Sequence, residues 1–189
     1  LEAAAGWEQL LEGAGGGLRS RHSGRVVFGH FDPTPGNLVV SGTATSPTAA
    51  RLIDFEWAGP NVAVYDFAKF ALSTRMAMRV APCAVTEELL RRAVRSMAAG
   101  YLSHPSVSNC RTADDLDLET TLFVDDVFRY VPVVAAVNLF SNLNHALEEG
   151  QLRDPPRTAD RRLPDGGFNW LAHAQNHLSL FLLSMDQQP

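Results

Sequence analysis

His30-Phe31-Asp32-Pro33-Thr34-Pro35-Gly36-Asn37, followed downstream by Leu52-Ile53-Asp54-Phe55-Glu56, is the stretch on which the fold turns. The first segment has the spacing H-x-D-x-x-x-x-N, and the second sets an acidic pair at the end of an apolar run. Val26-Val27-Phe28 leads into the first and Leu38-Val39-Val40 leaves it, both β-prone. Ser41 to Ala50, rich in Ser, Thr, Gly and Pro, reads as a surface hairpin loop before the strand Arg51-Leu52-Ile53. Both acidic motifs therefore fall at strand ends. Pro33, Pro35 and Gly36 suit a tight, stiff loop that keeps Asp32 and Asn37 on one side. Taken singly, Asp32 is an ordinary turn residue, Asn37 a strand start and Asp54 a strand end; the joint spacing is what points to chemistry.

Outward from this hairpin the pattern turns helical. Val64, Phe67, Ala68, Ala71 and Leu72 recur at helical spacing up to Met78, and Thr86-Glu87-Glu88 opens a second helix running to Leu102. Leu118 to Glu148 reads as a long helical stretch in which Pro132, costing roughly 3 kcal/mol in a helix interior, predicts a kink or a division into two. Phe168 to Met185 is an amphipathic helix with Leu171, Ala174, Leu178 and Phe181 on one face. Upstream, residues 2 to 12 are helical by propensity and Gly13 to Gly24 is a flexible connector. The fold class expected is α+β, mainly helical. Its parts are a helix and Gly-rich connector over 1–24, a lobe over 25–185 and a tail over 186–189. Leu1 reads as the interior of a helix already under way, so further residues are expected to precede it.

The chain has 189 residues, 46% apolar and 20% charged, values ordinary for a globular domain that can bury its own core. Its net charge of −5 argues against nucleic acid, which needs clustered Lys and Arg. No apolar run approaches the roughly 20 residues of a membrane span. Cys83 and Cys110 are too few and too scattered for a disulfide framework or a zinc site, which fits reduced thiols and a cytoplasmic location. Self-association into a homodimer is compatible with the sequence. His173 and His177 have helical i, i+4 spacing but no acidic or Cys companion nearby, and Asp125-Asp126 reads as a solvated or capped helix face.

Carboxylates and an amide on a stiff loop are what phosphoryl transfer asks of a protein: a positioned hydroxyl, Mg²⁺ on the phosphates, and charge compensation. Asp32 would accept or orient the proton of the attacking hydroxyl. Asn37 would offer its carbonyl oxygen to one Mg²⁺, Asp54 would bind Mg²⁺ as a hard anionic ligand, and Glu56 could reach a second metal.

At greater length the pattern resembles the choline/ethanolamine kinase family. Val27-Phe28-Gly29-His30-Phe31-Asp32 through Asn37 is similar to its catalytic loop. Ile53-Asp54-Phe55-Glu56-Trp57, then Asn61 and Tyr65-Asp66, falls in the family's register without a gap. Phe168-Asn169-Trp170-Leu171 resembles the start of its closing helix. The likeness covers roughly residues 25 to 185 and implies the C-terminal lobe of a protein-kinase-like fold, a small β-hairpin carrying the catalytic loop. It further implies ATP and Mg²⁺ as cofactors and an amino alcohol, ethanolamine or choline, as the small-molecule substrate. On the matched positions it implies Asp32 as base, Asn37, Asp54 and Glu56 at the metals, and His30 and Asp66 as supports of the loop. Phe140, Asn144 and Trp170 fall at its substrate pocket. Thr34, Lys69, Ser73 and Val137 depart from the family's pattern, which leaves open a smaller amino alcohol, an unrelated hydroxyl compound, an aminoglycoside-phosphotransferase-like relative, or a non-catalytic pseudokinase. The family's ATP-holding elements would lie upstream of Leu1, so negligible kinase activity is expected of these residues alone.

Overall fold

The computed structural model describes residues 17–43, 46–80, 85–107, 110, 112–153, 162–163 and 167–185. The helix expected over 2 to 12 and the tail over 186 to 189 lie outside these. Among the described residues the fold is mainly helical with two small antiparallel sheets, an α+β arrangement. Among the described residues, no helix is long and apolar enough to cross a membrane. The chain divides into two compact units, Leu1–Ala71 with Ala84–Arg129, and Leu72–Cys83 with Tyr130–Pro189.

In the first unit, β1 (Val26–Gly29) ends at the H-x-D loop and β2 (Leu38–Thr43) leaves it. β2 pairs with β3 (Ser46–Leu52), Leu38 opposite Leu52, with a bulge at Ser41/Gly42 where Gly42 takes φ +97°. The hairpin thus runs further than expected: Ser41–Thr43 and Ser46–Ala50, read as loop from their polar composition, are paired strand. β4 (Gly59–Val62) pairs antiparallel with β1, Gly29 opposite Gly59. A segment Gly-Pro-Asn-Val carries no strand signal of its own. In a two-stranded sheet Pro60 is tolerated because one side of each strand needs no donor.

α1 (Ala63–Val80) follows β4 directly, and Val64, Ala68 and Ala71 of its first turns are fully buried. α2 (Glu87–Ser103) begins where the Thr-Glu-Glu signal placed it, with Thr86 Oγ1 accepting from Leu89 N–H at 3.2 Å, and buries Leu90, Val94, Ala98 and Leu102 at four-residue spacing. α3 (Ala113–Glu148) contributes Phe123 and Val127 to the same core. Phe67, Tyr101 and Phe123 join α1, α2 and α3 through ring centroids 5.0 to 5.7 Å apart.

Asp126 departs from expectation. It is fully buried, not solvated, and its carboxylate accepts from Arg19 N–H and Ser20 N–H at 2.9 Å and from Ser23 Oγ–H at 2.7 Å. A buried carboxylate is tolerated because several donors surround it. The turn at Arg19–Ser23 is held to α3 chiefly by this side chain, with Glu119 accepting from Ser20 Oγ–H at 3.0 Å and pairing with Arg21 at 3.4 Å. Asp126→Asn keeps one acceptor oxygen and loses the charge. It is expected to destabilise the chain by roughly 1–3 kcal/mol, measurable as a lower urea midpoint at unchanged m-value.

The second unit contains the distal turns of α1 and α3 and the helix α4 (Trp170–Met185). α3 runs as one helix through Pro132, so the expected division does not occur. Val131, Val134 and Ala135 around it are buried, and that packing offsets one missing hydrogen bond. α3 ends at Gly150, φ +74°, where Gln151 N–H returns to Ala146 O at 2.8 Å, the left-handed glycine stop. On α4 the buried stripe is Ala174, His177 and Leu180, while Leu178, expected inside, is 43% exposed. The face is rotated by about one residue because a histidine, which an apolar count omits, occupies an inward position.

Candidate functional site

The loop between β1 and β2 is shaped by residues that follow β3 and β4. Asp66, in the first turn of α1, accepts from His30 N–H at 2.7 Å and from Phe31 N–H at 3.0 Å, one with each carboxylate oxygen. Phe31 has φ +68°, a left-handed conformation that costs a bulky residue on the order of 1 kcal/mol or more. Asp66 below it and Tyr65, whose ring lies 5.4 Å from that of Phe31, hold it there. His30 is buried; its Nδ1 accepts from Asp32 N–H at 3.3 Å, so the ring proton sits on Nε2, which donates to Ile53 O at 2.8 Å. The histidine ties the first acidic motif to the second, with its ring against Phe55 at 4.5 Å.

Asp32 is thereby presented with its carboxylate 36% exposed. Asn37, closing a short 3₁₀ turn begun at Pro35, donates through Nδ2 to Asp32 O at 3.0 Å and to Oδ2 at 3.1 Å. Both contacts use the amide nitrogen, and neither uses the carbonyl oxygen as an acceptor. Asn37 O accepts from Ile53 N–H at 2.9 Å, so Asn37 and Asp54 are brought to neighbouring strand ends. Asp54 takes φ +66°, which aspartate tolerates better than most residues, and it is exposed, as is Glu56.

Asp32, Asn37, His30 and Asp66 are linked through this one network in the first unit, and it reaches the backbone of Ile53, next to Asp54. Phe140, Asn144 and Trp170 belong to the second unit. Phe140 is 71% exposed, Asn144 Nδ2 donates to Glu148 Oε1 at 2.8 Å, and Trp170 Nε1 donates to Glu149 Oε1 at 3.0 Å. Trp170 also lies against His145 and Phe168, so the polar groups of Asn144 and Trp170 are engaged at the end of α3.

Sequence reasoning named Lys69 only as a departure from the family's pattern, without its contact to Asp32, and gave Gly29 no role. Lys69, one turn beyond Asp66 on α1, places Nζ 3.2 Å from Asp32 Oδ1, its side chain only 12% exposed. Burial pushes its ammonium below the ordinary lysine range, while the Asp32 carboxylate acts in the opposite direction. A lysine inside the apolar run Phe67-Ala68-Lys69-Phe70-Ala71, three residues after a loop-binding aspartate, was the available signal. At Gly29 a Cβ would lie 3.0 Å from Asn61 Cβ and 3.1 and 3.3 Å from the two oxygens of Asp66. Gly29→Ala is expected to cost roughly 1–3 kcal/mol by overpacking and to loosen the loop, visible as a lowered melting temperature.

Among the described residues no three His, Cys, Asp or Glu side chains gather into a metal cluster. The donor set present, one or two carboxylates and an amide oxygen, is what Mg²⁺ uses when phosphates and water supply its other ligands. The residues fit that metal in that setting. Compared with protein-family models, with curated proteins and with solved structures, the chain matches none.

Proposed function

We propose that the chain is the acceptor- and metal-binding part of an ATP-dependent small-molecule kinase, of protein-kinase-like fold and resembling the choline/ethanolamine kinases. The observation that carries the reading is the placement of Asp32: its backbone is clamped by Asp66 and His30, its carboxylate is oriented by Asn37, and Asp54 stands at the neighbouring strand end. The Asn37–Asp32 contact joins two residues that the first motif had singled out on chemical grounds, and His30 and Asp66 are the residues the resemblance implies as supports of the loop.

In the proposed reaction Asp32 receives the hydroxyl of the acceptor as a hydrogen-bond donor, aligns its oxygen, and takes its proton as the new O–P bond forms and the bond from the γ-phosphorus to the bridging oxygen breaks, ADP leaving with that oxygen. Asn37 keeps the carboxylate in a single rotamer, so little reorganisation is needed. Asn37 Oδ1 and Asp54, with Glu56, would hold Mg²⁺. When bound with ATP, the metal supplies neutralisation of phosphate charge. The amino-alcohol acceptors of the resembling family are the first substrates to try. The test is a coupled ATP-consumption assay of the full gene product over a panel of hydroxyl compounds, beside an Asp32 variant.

A second reading, a non-catalytic binding module of the same fold, draws on the ion pair that Lys69 makes with Asp32 Oδ1. Acceptor-dependent ATP turnover that vanishes with Asp32 excludes it.

A further inference from the structure

The Asp32–Lys69 pair has a bearing on what the site can accept. An acceptor hydroxyl bonded to Asp32 sits about 2.6–3.2 Å from a carboxylate oxygen. With Lys69 Nζ 3.2 Å from Oδ1, the ammonium then lies within roughly 6 Å of that hydroxyl. A substituent two carbons from the hydroxyl falls within a similar radius. The ammonium cannot be treated as a mobile surface charge, because its side chain is 12% exposed and emerges from the first turns of a packed helix. Charges held out of water act on one another more strongly than solvated ones.

Asp32 alone would present net negative charge to the acceptor and favour a cation. Asp32 with Lys69 presents none. A second cation there would face the ammonium across the carboxylate they share, whereas an anion or a neutral polar group would meet no such repulsion.

We infer that Lys69 sets the charge class of the acceptor, selecting hydroxyl compounds whose neighbouring group is neutral or anionic and disfavouring those with an ammonium two carbons from the hydroxyl. The inference rests on the phosphotransferase reading and narrows it: the amino alcohols become the poor substrates of this site. Lys69 acts on specificity, and the chemical step remains with Asp32.

Isosteric pairs test it on the full gene product with ATP and Mg²⁺. Hydroxypropionate carries a carboxylate where ethanolamine has its ammonium, and dimethylbutanol carries a quaternary carbon where choline has its nitrogen. The wild type is expected to show kcat/KM at least about tenfold higher for the anionic or neutral member of each pair. Lys69→Asn is expected to shift both ratios by about tenfold or more toward the cationic member, chiefly through KM, and Lys69→Arg to keep the wild-type order. A purely structural loss would lower all four substrates together. Should Lys69→Asn fail a thermal-unfolding check, Lys69→Gln, which retains the aliphatic stem and a donor, carries the same comparison. A wild type that prefers ethanolamine and choline, or ratios unmoved by neutralising Lys69, overturns the inference and leaves the kinase reading standing. Absence of ATP-dependent transfer to every hydroxyl compound, with Asp32→Asn indistinguishable from wild type, overturns the kinase reading and this inference with it.

Discussion

Asp32→Asn in the full gene product is expected to lower kcat for phosphoryl transfer by roughly 10²–10⁴, the range a positioned general base supplies. KM for ATP should stay near its wild-type value, since Asp32 is assigned to the acceptor hydroxyl. The substitution is nearly isosteric, so the loop keeps its backbone bonds to Asp66 and His30, neither of which uses the Asp32 side chain. Two contacts change. The amide oxygen can still accept from Lys69 at the position of Oδ1, but the new NH₂ faces Asn37 Nδ2, a donor against a donor. Lys69, largely buried, also loses its counter-charge. Because Asp32 is 36% exposed the structural cost is held to about 1–3 kcal/mol, below that of breaking a fully buried pair. Circular dichroism and a melting curve therefore accompany the kinetics. A folded Asp32→Asn protein that turns over at the wild-type rate would remove Asp32 from the chemistry.

Asp66→Ala is expected to produce the largest loss of stability. It strips the acceptor from two N–H groups at once, those of His30 and Phe31, and bonds to a charged group are worth about 1.5–3 kcal/mol each. A cost of roughly 3–5 kcal/mol follows, and with it a fall in melting temperature on the order of 10 °C for a chain of this length. Phe31 would then have no reason to remain at φ +68°, and its relaxation would carry Asp32 away from Asn37. Activity should fall with stability. Asp66→Asn, which retains one acceptor oxygen, should lie between the two. Equal stability of Asp66→Ala and wild type in urea unfolding would contradict the clamp.

What could be read in advance was local. The β-prone runs around Asp32, the Thr86 cap, and the helical spacing after Pro60 each depend on residues a few positions apart, and each appears where its own chemistry put it. Partners brought in from far along the chain were not legible. Asp126 looked like a surface residue because its neighbour Asp125 is one, and nothing near it in sequence announces the turn at Arg19–Ser23 that it binds. β4 is made a strand by β1, not by its own composition. Pro132 fails to divide α3 because burial on both sides outweighs one lost bond. Within the site, spacing identified Asp32, Asn37 and Asp54. The grip of Lys69 on Asp32 is a tertiary fact that only the docking of α1 against the loop creates.

That docking has a thermodynamic meaning. The loop carrying Asp32 is written between two strands, yet its amides at His30 and Phe31 are satisfied by the first turn of α1, and its carboxylate meets Lys69 on the next turn. The loop therefore belongs to the cooperative unit of the helix as well as to the base of the hairpin, where Ile53 meets His30 and Asn37. The β2–β3 hairpin can fray at its tip without disturbing Asp32, whereas opening of α1 from its start through Lys69 releases the His30 and Phe31 amides and the Lys69 contact in one event.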